Sequence, residues 1–251
     1  MFNSTERIIK KVSNNHKPFP IEIWFQPLFQ LSHFKCVGGE ILVRGKYLNE
    51  SILPFQFILQ LEKHGEGIVN LGHFVVEESF KYISNFLSVE NDNRLYNINV
   101  SRVELERENY ADAVIMMGDE SLIAPASIIL EITGNDSELT ELMISNLNKL
   151  QGHGFNIAWG DVCNIDDFLM KNEVFPGRYI KLDRSLLANT RLDEASKIIK
   201  EAHNLNITII AEGVQTMNQV SFLLKENVTL GQGYLFSRPI PKEIYSAKFG
   251  S

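Results

Sequence analysis

The chain has 251 residues, 44% of them apolar and 22% charged, with a formal charge of −7 at neutral pH. That length and balance suit one large α/β domain with ample core. The acidic excess disfavours a nucleic-acid surface, which needs clustered Lys and Arg against phosphate.

The first twenty residues, "MFNSTERIIKKVSNNHKPFP", lack the continuous apolar run of a signal peptide and read as an N-terminal extension (1–20) to a domain spanning 21–251. Their Lys10-Lys11 pair reads as a solvated helix end. No stretch approaches the roughly 18 apolar residues of a membrane span, so no membrane is expected and the chain is placed in the cytoplasm. Cys36 and Cys163 are far apart and match no zinc or redox spacing, which makes them buried free thiols.

Two apolar runs open the domain, "IEIWFQPLFQ" (21–30) and "CVGGEILVR" (36–44). The turn between them is too short for a crossover helix, so they form an antiparallel hairpin. "GEGIVN" (65–70) is a poor match to a phosphate loop and follows no strand; it reads as a turn. Strands follow at "LYNINVS" (95–101) and "SIILEIT" (127–133). Leu139, Leu142, Met143, Leu147 and Leu150 then recur three or four apart, predicting a helix over 137–151. Next come the strand "FNIAWGD" (155–161), the strand "RYIKLD" (178–183) and an acidic-led helix at 193–204. The strand "ITIIAEG" (207–213) and a short run at "LGQGYLF" (230–236) complete the set. Eight strands alternating with helices make a modified TIM-like (β/α)8 barrel whose first strand is antiparallel.

Chemistry in such barrels gathers where strands end. Those ends carry Glu40, Arg44, Asn99, Glu131, Asp161, Lys181, Asp183, Glu212 and Gln232. Each alone has a structural reading: Asp183 caps the next helix, and Glu131 or Glu212 pairs with Lys181. Together they form a hard-oxygen set of the kind that suits Mg²⁺ or Mn²⁺.

The segments "GGEILVR", "NINVS", "LEIT", "RYIKLDRS", "IIAEGVQT" and "GQGYLFSRP" resemble, in that order, the EAL domain, the bacterial cyclic di-GMP phosphodiesterase family, over residues 21 to 242. The resemblance implies two divalent cations bridged by carboxylates. Glu40, Asn99, Glu131 and Asp161 match metal ligands, and Lys181 and Glu212 match residues that orient or deprotonate the attacking water. Gln232 matches a late polar residue of the pocket, and Arg44 an arginine that grips the dinucleotide.

Two departures stand out. The family's strand ends in two adjacent aspartates, and here the first is Gly160. The glutamate that usually follows "EIT" is Gly134, with Asp136 two residues off. Without metals, Glu40, Glu131, Asp161 and Glu212 against Lys181 and Arg44 leave the pocket roughly two charges negative if all are ionised, and protonation of one carboxylate softens that.

The expectation is therefore a degenerate, stand-alone EAL domain that is not an enzyme, with a vestigial site and no cofactor. It resembles enterobacterial EAL-like proteins that repress flagellar genes by binding the flagellar master transcriptional activator. With the family's dimer-coupling loop replaced by Val162-Cys163-Asn164-Ile165, the free chain is expected to be a monomer. A weak metal-dependent cyclic di-GMP phosphodiesterase and a metal-free cyclic di-GMP receptor stay open beside it.

Overall fold

The computed structural model describes residues 3–48, 50–63, 65–86, 94–133 and 138–250. Helix α1 (Ser4–Ser13) is capped by Asn3 and buries Ile8, Ile9 and Val12. Strands β1 (Ile21–Gln30) and β2 (Lys35–Tyr47) form the expected antiparallel hairpin, and β3 (Glu50–Ile52) adds to the edge of β2. Helices α2 (Ile58–Lys63) and α3 (Glu66–Phe86) lead to β4 (Leu95–Val100). After it come α4 (Arg102–Leu105), α5 (Tyr110–Glu120), β5 (Ile128–Ile132), α6 (Glu141–Gly152) and β6 (Asn156–Val162). Helix α7 (Ile165–Val174), β7 (Tyr179–Leu182), α8 (Leu192–Asn204) and β8 (Thr208–Ala211) continue the alternation. Helix α9 (Met217–Lys225), β9 (Leu230–Gly231), β10 (Ile240–Pro241) and α10 (Lys242–Phe249) finish the chain.

The barrel closes through β1, β2, β4, β5, β6, β7, β8 and β9; β3 and β10 lie outside it on β2 and β1. Strands β2 and β4 to β9 run parallel where they pair, and β1 is antiparallel to both neighbours, as expected.

Side chains alternate across a strand, and that alternation builds two cores. The outward set packs under the helices; Phe25, for example, lies 4.7 Å from Tyr245 of α10, ring to ring. Helix α8 buries Ala195, Ile198, Ile199 and Ala202 against the sheet, each isoleucine side chain stabilising by roughly 1.5–3 kcal/mol. The inward set forms a separate apolar layer of Leu28, Ile129, Ala158, Tyr179 and Ile210.

"GEGIVN" is a correction: Glu66 begins α3, and Gly65, at φ +62°, is the break between α2 and α3. A Cβ on Gly67 would meet Leu61 Cδ2 at 2.7 Å and Ser13 Oγ at 2.8 Å, so a glycine is needed where α3 passes its neighbours. Tertiary packing overrides the poor helix propensity of glycine there. Neither Cys36 nor Cys163 is in a disulfide, and both are half-buried rather than fully buried. Among the described residues, no helix is long and apolar enough to cross a membrane.

Candidate active site

Two residues beyond the apolar layer, each strand places its next inward side chain at the barrel mouth. Ile129 is followed by Glu131, Ala158 by Gly160, Tyr179 by Lys181 and Ile210 by Glu212. On the hairpin, Glu40 pairs in register with Gln26 on one side and Asn97 on the other. The polar layer is a consequence of strand periodicity.

Lys181 is its centre. The ammonium is 1% exposed and lies 3.0 Å from Glu40, 2.9 Å from Glu131 and 2.7 Å from Glu212. Burial alone would lower the lysine's pKa, but Glu131, Glu40 and Glu212 hold it well above the ordinary value. Asn99 Nδ2 donates to Glu40 Oε1 at 3.1 Å, and Gln232 Nε2 donates to Glu40 Oε2. Against burial, Lys181 and these amide donors keep the Glu40 carboxyl below its usual range, so it stays ionised.

Glu131 behaves differently. Asn97 Nδ2 and Lys181 Nζ both donate to its Oε2, yet burial pushes its carboxyl up to about 8, opposed by Lys181 and reinforced by Glu40 and Glu212. Near neutral pH it is largely protonated. The buried layer is thus less negative than it would be with every carboxylate ionised.

Glu131 also explains the glycine. A Cβ on Gly160 would lie 2.4 Å from Glu131 Oε1 and 3.2 Å from its Cδ. The Glu131 carboxyl occupies the space into which any side chain at position 160 would project.

Strand β6 bulges at this point, its register with β7 shifting between Trp159 and Val162. Asp161 adopts φ +51°, a left-handed conformation uncommon for a non-glycine residue. It comes together with Asp183 and Glu212, and carboxylate oxygens of all three lie within 4.8 Å of one another. Asp183 also caps a short 3-10 turn by accepting the Ser185 N–H at 2.8 Å, as the capping reading expects. Burial raises the Glu212 pKa against Lys181, with Glu40 and Asp161 adding to the rise.

The predicted ligand set therefore divides. Glu40, Asn99 and Glu131 are tied to the lysine layer, whereas Asp161 and Glu212 join Asp183 at the mouth. Three hard-oxygen donors in an exposed-to-half-buried position fit one divalent cation of the Mg²⁺ or Mn²⁺ type. Deeper in the pocket the Lys181 ammonium supplies the positive charge.

Arg44 lies 5.3 Å from the Trp24 ring centroid and donates to the Val43 carbonyl at 2.7 Å. Burial draws its pKa down, opposed by Tyr234 and Glu40. Arg238 stands 4.2 Å from the Tyr234 ring centroid. Gly134 and Asp136 lie outside the described residues. Asn97 was not anticipated, although it shares its strand face with Asn99.

Among known proteins, the EAL domain family model matches residues 13–239. A probable cyclic di-GMP phosphodiesterase of Escherichia coli (strain K12), PdeG, is 27% identical over 94% of this chain and 47% of its own length. The cyclic di-GMP phosphodiesterase PdeL of the same organism is 26% identical over 94% of this chain and 66% of its own. The chain thus spans about half to two thirds of these two relatives. The solved EAL domain protein from Listeria monocytogenes EGD-e superposes with a TM-score of 0.82, at 24% identity, over 99% of this chain and 98% of that one. The phosphodiesterase PaMucR, solved with c-di-GMP, gives a TM-score of 0.83 at 24% identity over 95% and 98%. At that identity the likeness shows the fold.

The expectation of a chain that is no longer an enzyme is corrected by these findings. Relatives spanning nearly all of it are phosphodiesterases by name, and three carboxylates still converge at the mouth despite Gly160. Matched from residue 13 to residue 239 and folded as a closed barrel with β1 reversed, the chain belongs to the EAL domain family.

Proposed function

We propose that this chain binds cyclic di-GMP at the barrel mouth and hydrolyses one of its phosphodiester bonds. The observation that carries this reading is the convergence of Asp161, Asp183 and Glu212 beside the buried Lys181. These three carboxylates would hold a divalent cation, which when bound polarises a phosphoryl oxygen and acidifies water. Glu212 couples that position to the lysine layer, since its Oε1 is 2.7 Å from Lys181 Nζ and accepts from Gln232 Nε2 at 3.4 Å. Arg44 over Trp24 and Arg238 over Tyr234 offer cationic and aromatic surfaces to a ligand that combines phosphates with purine rings. Attack by water on phosphorus breaks one P–O ester bond and leaves a linear dinucleotide ending in a phosphomonoester.

The test is chromatography of cyclic di-GMP incubated with micromolar protein and Mn²⁺ or Mg²⁺. Linear product should appear, and Asp183→Asn or Glu212→Gln should abolish it while the protein stays folded. Wild-type protein that yields no product with either cation sinks the proposal; calorimetric binding without turnover would then favour a receptor.

A second reading, that the chain binds a protein such as the flagellar master transcriptional activator, draws on a surface that adjoins the site at Asn99. Leu53, Phe55 and Leu59 are 46%, 67% and 62% exposed. Beside them lies a groove of about 390 Å³, lined on one side by Ile41, Val43, Ile58 and Leu59 and reaching Asn99 and Glu104. Exposed apolar groups gathered at a groove favour partner docking. Co-purification with the activator's subunits should succeed for wild type and fail for Phe55→Asp; absence of any complex at micromolar concentration refutes it.

A further inference from the structure

Helix α7 buries a lysine that the sequence gives no reason to bury. Lys171 is 2% exposed, and its Nζ donates to the Gly160 carbonyl at 3.0 Å and to Asp167 Oδ2 at 3.1 Å. The same Nζ lies 5.9 Å from the Trp159 ring centroid. Lysine is almost never fully buried unless paired, because its ammonium must leave water. A solvent-facing position on α7 would avoid that penalty. Here the ammonium is aimed instead at the backbone of the residue preceding Asp161.

That backbone is the unusual part of the site. One extra residue sits in β6 between Trp159 and Val162, and Asp161 is in the left-handed region. A non-glycine residue persists there when its surroundings fix it. Restraints bracket the segment on both sides. Before Asp161, Lys171 holds the Gly160 carbonyl. After it, Arg191 Nη2 donates to the Cys163 carbonyl at 2.6 Å and is itself held by Glu194 at 2.7 Å. Asp167, the anchor of Lys171, stands one turn earlier on α7, where its own N–H donates to the capping Asn164 Oδ1 at 2.8 Å.

We infer that Lys171, anchored by Asp167, is a positioning residue that fixes the backbone at 160–161 and so brings the Asp161 carboxylate to Asp183 and Glu212. The inference rests on the metal-site reading above. Lys171 touches none of the three carboxylates; it acts through the peptide between Gly160 and Asp161. Groups that orient ligands in this way are worth about 10–100-fold in metal affinity.

The experiment compares wild type, Lys171→Met and Lys171→Arg for Mn²⁺ affinity by electron paramagnetic resonance and for amide exchange at 160–164. Lys171→Met keeps the apolar stem and removes the donor. It should bind Mn²⁺ about tenfold more weakly and exchange faster at 160–164, with Lys171→Arg recovering most of both. Asn146→Ala serves as a control, since it removes buried hydrogen bonds to the Leu105 and Arg107 carbonyls, on segments that carry none of the three carboxylates. It should lower stability without moving Mn²⁺ affinity. Folded Lys171→Met with wild-type affinity and wild-type exchange overturns the inference. If wild type itself binds no Mn²⁺, the proposed function falls and exchange at 160–164 alone decides the role of Lys171. Should Lys171→Met fail to fold, Asp167→Asn removes the anchor instead. Weaker Mn²⁺ binding and faster exchange in that variant support the inference, and wild-type values of both overturn it.

Discussion

Replacing Gly160 by alanine tests whether Glu131 truly occupies that side chain's space. The new Cβ would stand 2.4 Å from Glu131 Oε1, where ordinary contact begins near 3.4 Å, so the carboxyl must retreat by roughly 1 Å. Its other oxygen is 2.9 Å from Lys181 Nζ and also accepts from Asn97. A retreat of that size breaks both bonds and strands a polar group that is 4% exposed. Leaving a buried group unsatisfied costs about 1–3 kcal/mol, and removing a glycine from a strand returns about 0.5–1 kcal/mol. The net loss is about 1–2 kcal/mol, or roughly 2–8 °C in Tm for a domain of this size. A double-mutant cycle separates cause from coincidence. In a Glu131→Ala background the clash is gone, and Gly160→Ala should be neutral or slightly stabilising by urea denaturation. If Gly160→Ala costs the same in both backgrounds, Glu131 is not what excludes a side chain at 160.

Glu104 gives a pH signature outside the three-carboxylate cluster: burial pushes its carboxyl from 4.5 up to about 7, against hydrogen bonds from Ser101. The folded state therefore binds more protons than the unfolded one between those values, and about 3 kcal/mol present below pH 4.5 is lost as pH rises through 7. Glu104→Gln keeps the acceptor for the Ser101 N–H at 2.9 Å but cannot ionise, so its urea midpoint should fall less than wild type's between pH 5 and pH 8; parallel slopes would count against the assignment. Lys181→Met leaves Glu40, Glu131 and Glu212 without their shared cation, and stability should drop by about 3–5 kcal/mol near neutral pH. The drop should be smaller at pH 5, where carboxyls take up protons; an equal loss at both pH values would mean packing rather than charge is at stake.

Much of the barrel was legible because strand and helix periods differ. The apolar runs at 21–30 and 36–44 read as a hairpin and fold as one, and 193–204 reads as an amphipathic helix and is one. The missed start of α3 has a physical cause. Gly65 and Gly67 lower local helix propensity, while the reason for Gly67 lies in Leu61 and Ser13, contacts that sequence spacing does not reveal.

The polar layer was legible for a related reason. A strand that runs through Ile129, Leu130 and Glu131 must turn the first and last of these toward the same face, so a carboxylate in an otherwise apolar strand announces a partner. The same rule applied to "NINV" would have found Asn97 from Asn99. What the rule cannot reach is anything set by a bulge. Strict alternation would send Asp161 to the face opposite Gly160, away from the mouth. One extra residue in β6 and a left-handed φ reverse that. Lys171 is illegible on the same grounds, since a lysine one helical turn after an aspartate reads as an exposed i,i+4 pair. Only the path of β6 puts a carbonyl within its reach. Gly160 then takes on a meaning different from a missing ligand alone. Its bare backbone accepts Glu131 above it and Lys171 at its carbonyl. A side chain restored at 160 would have to displace Glu131 from Lys181 before it could serve a cation.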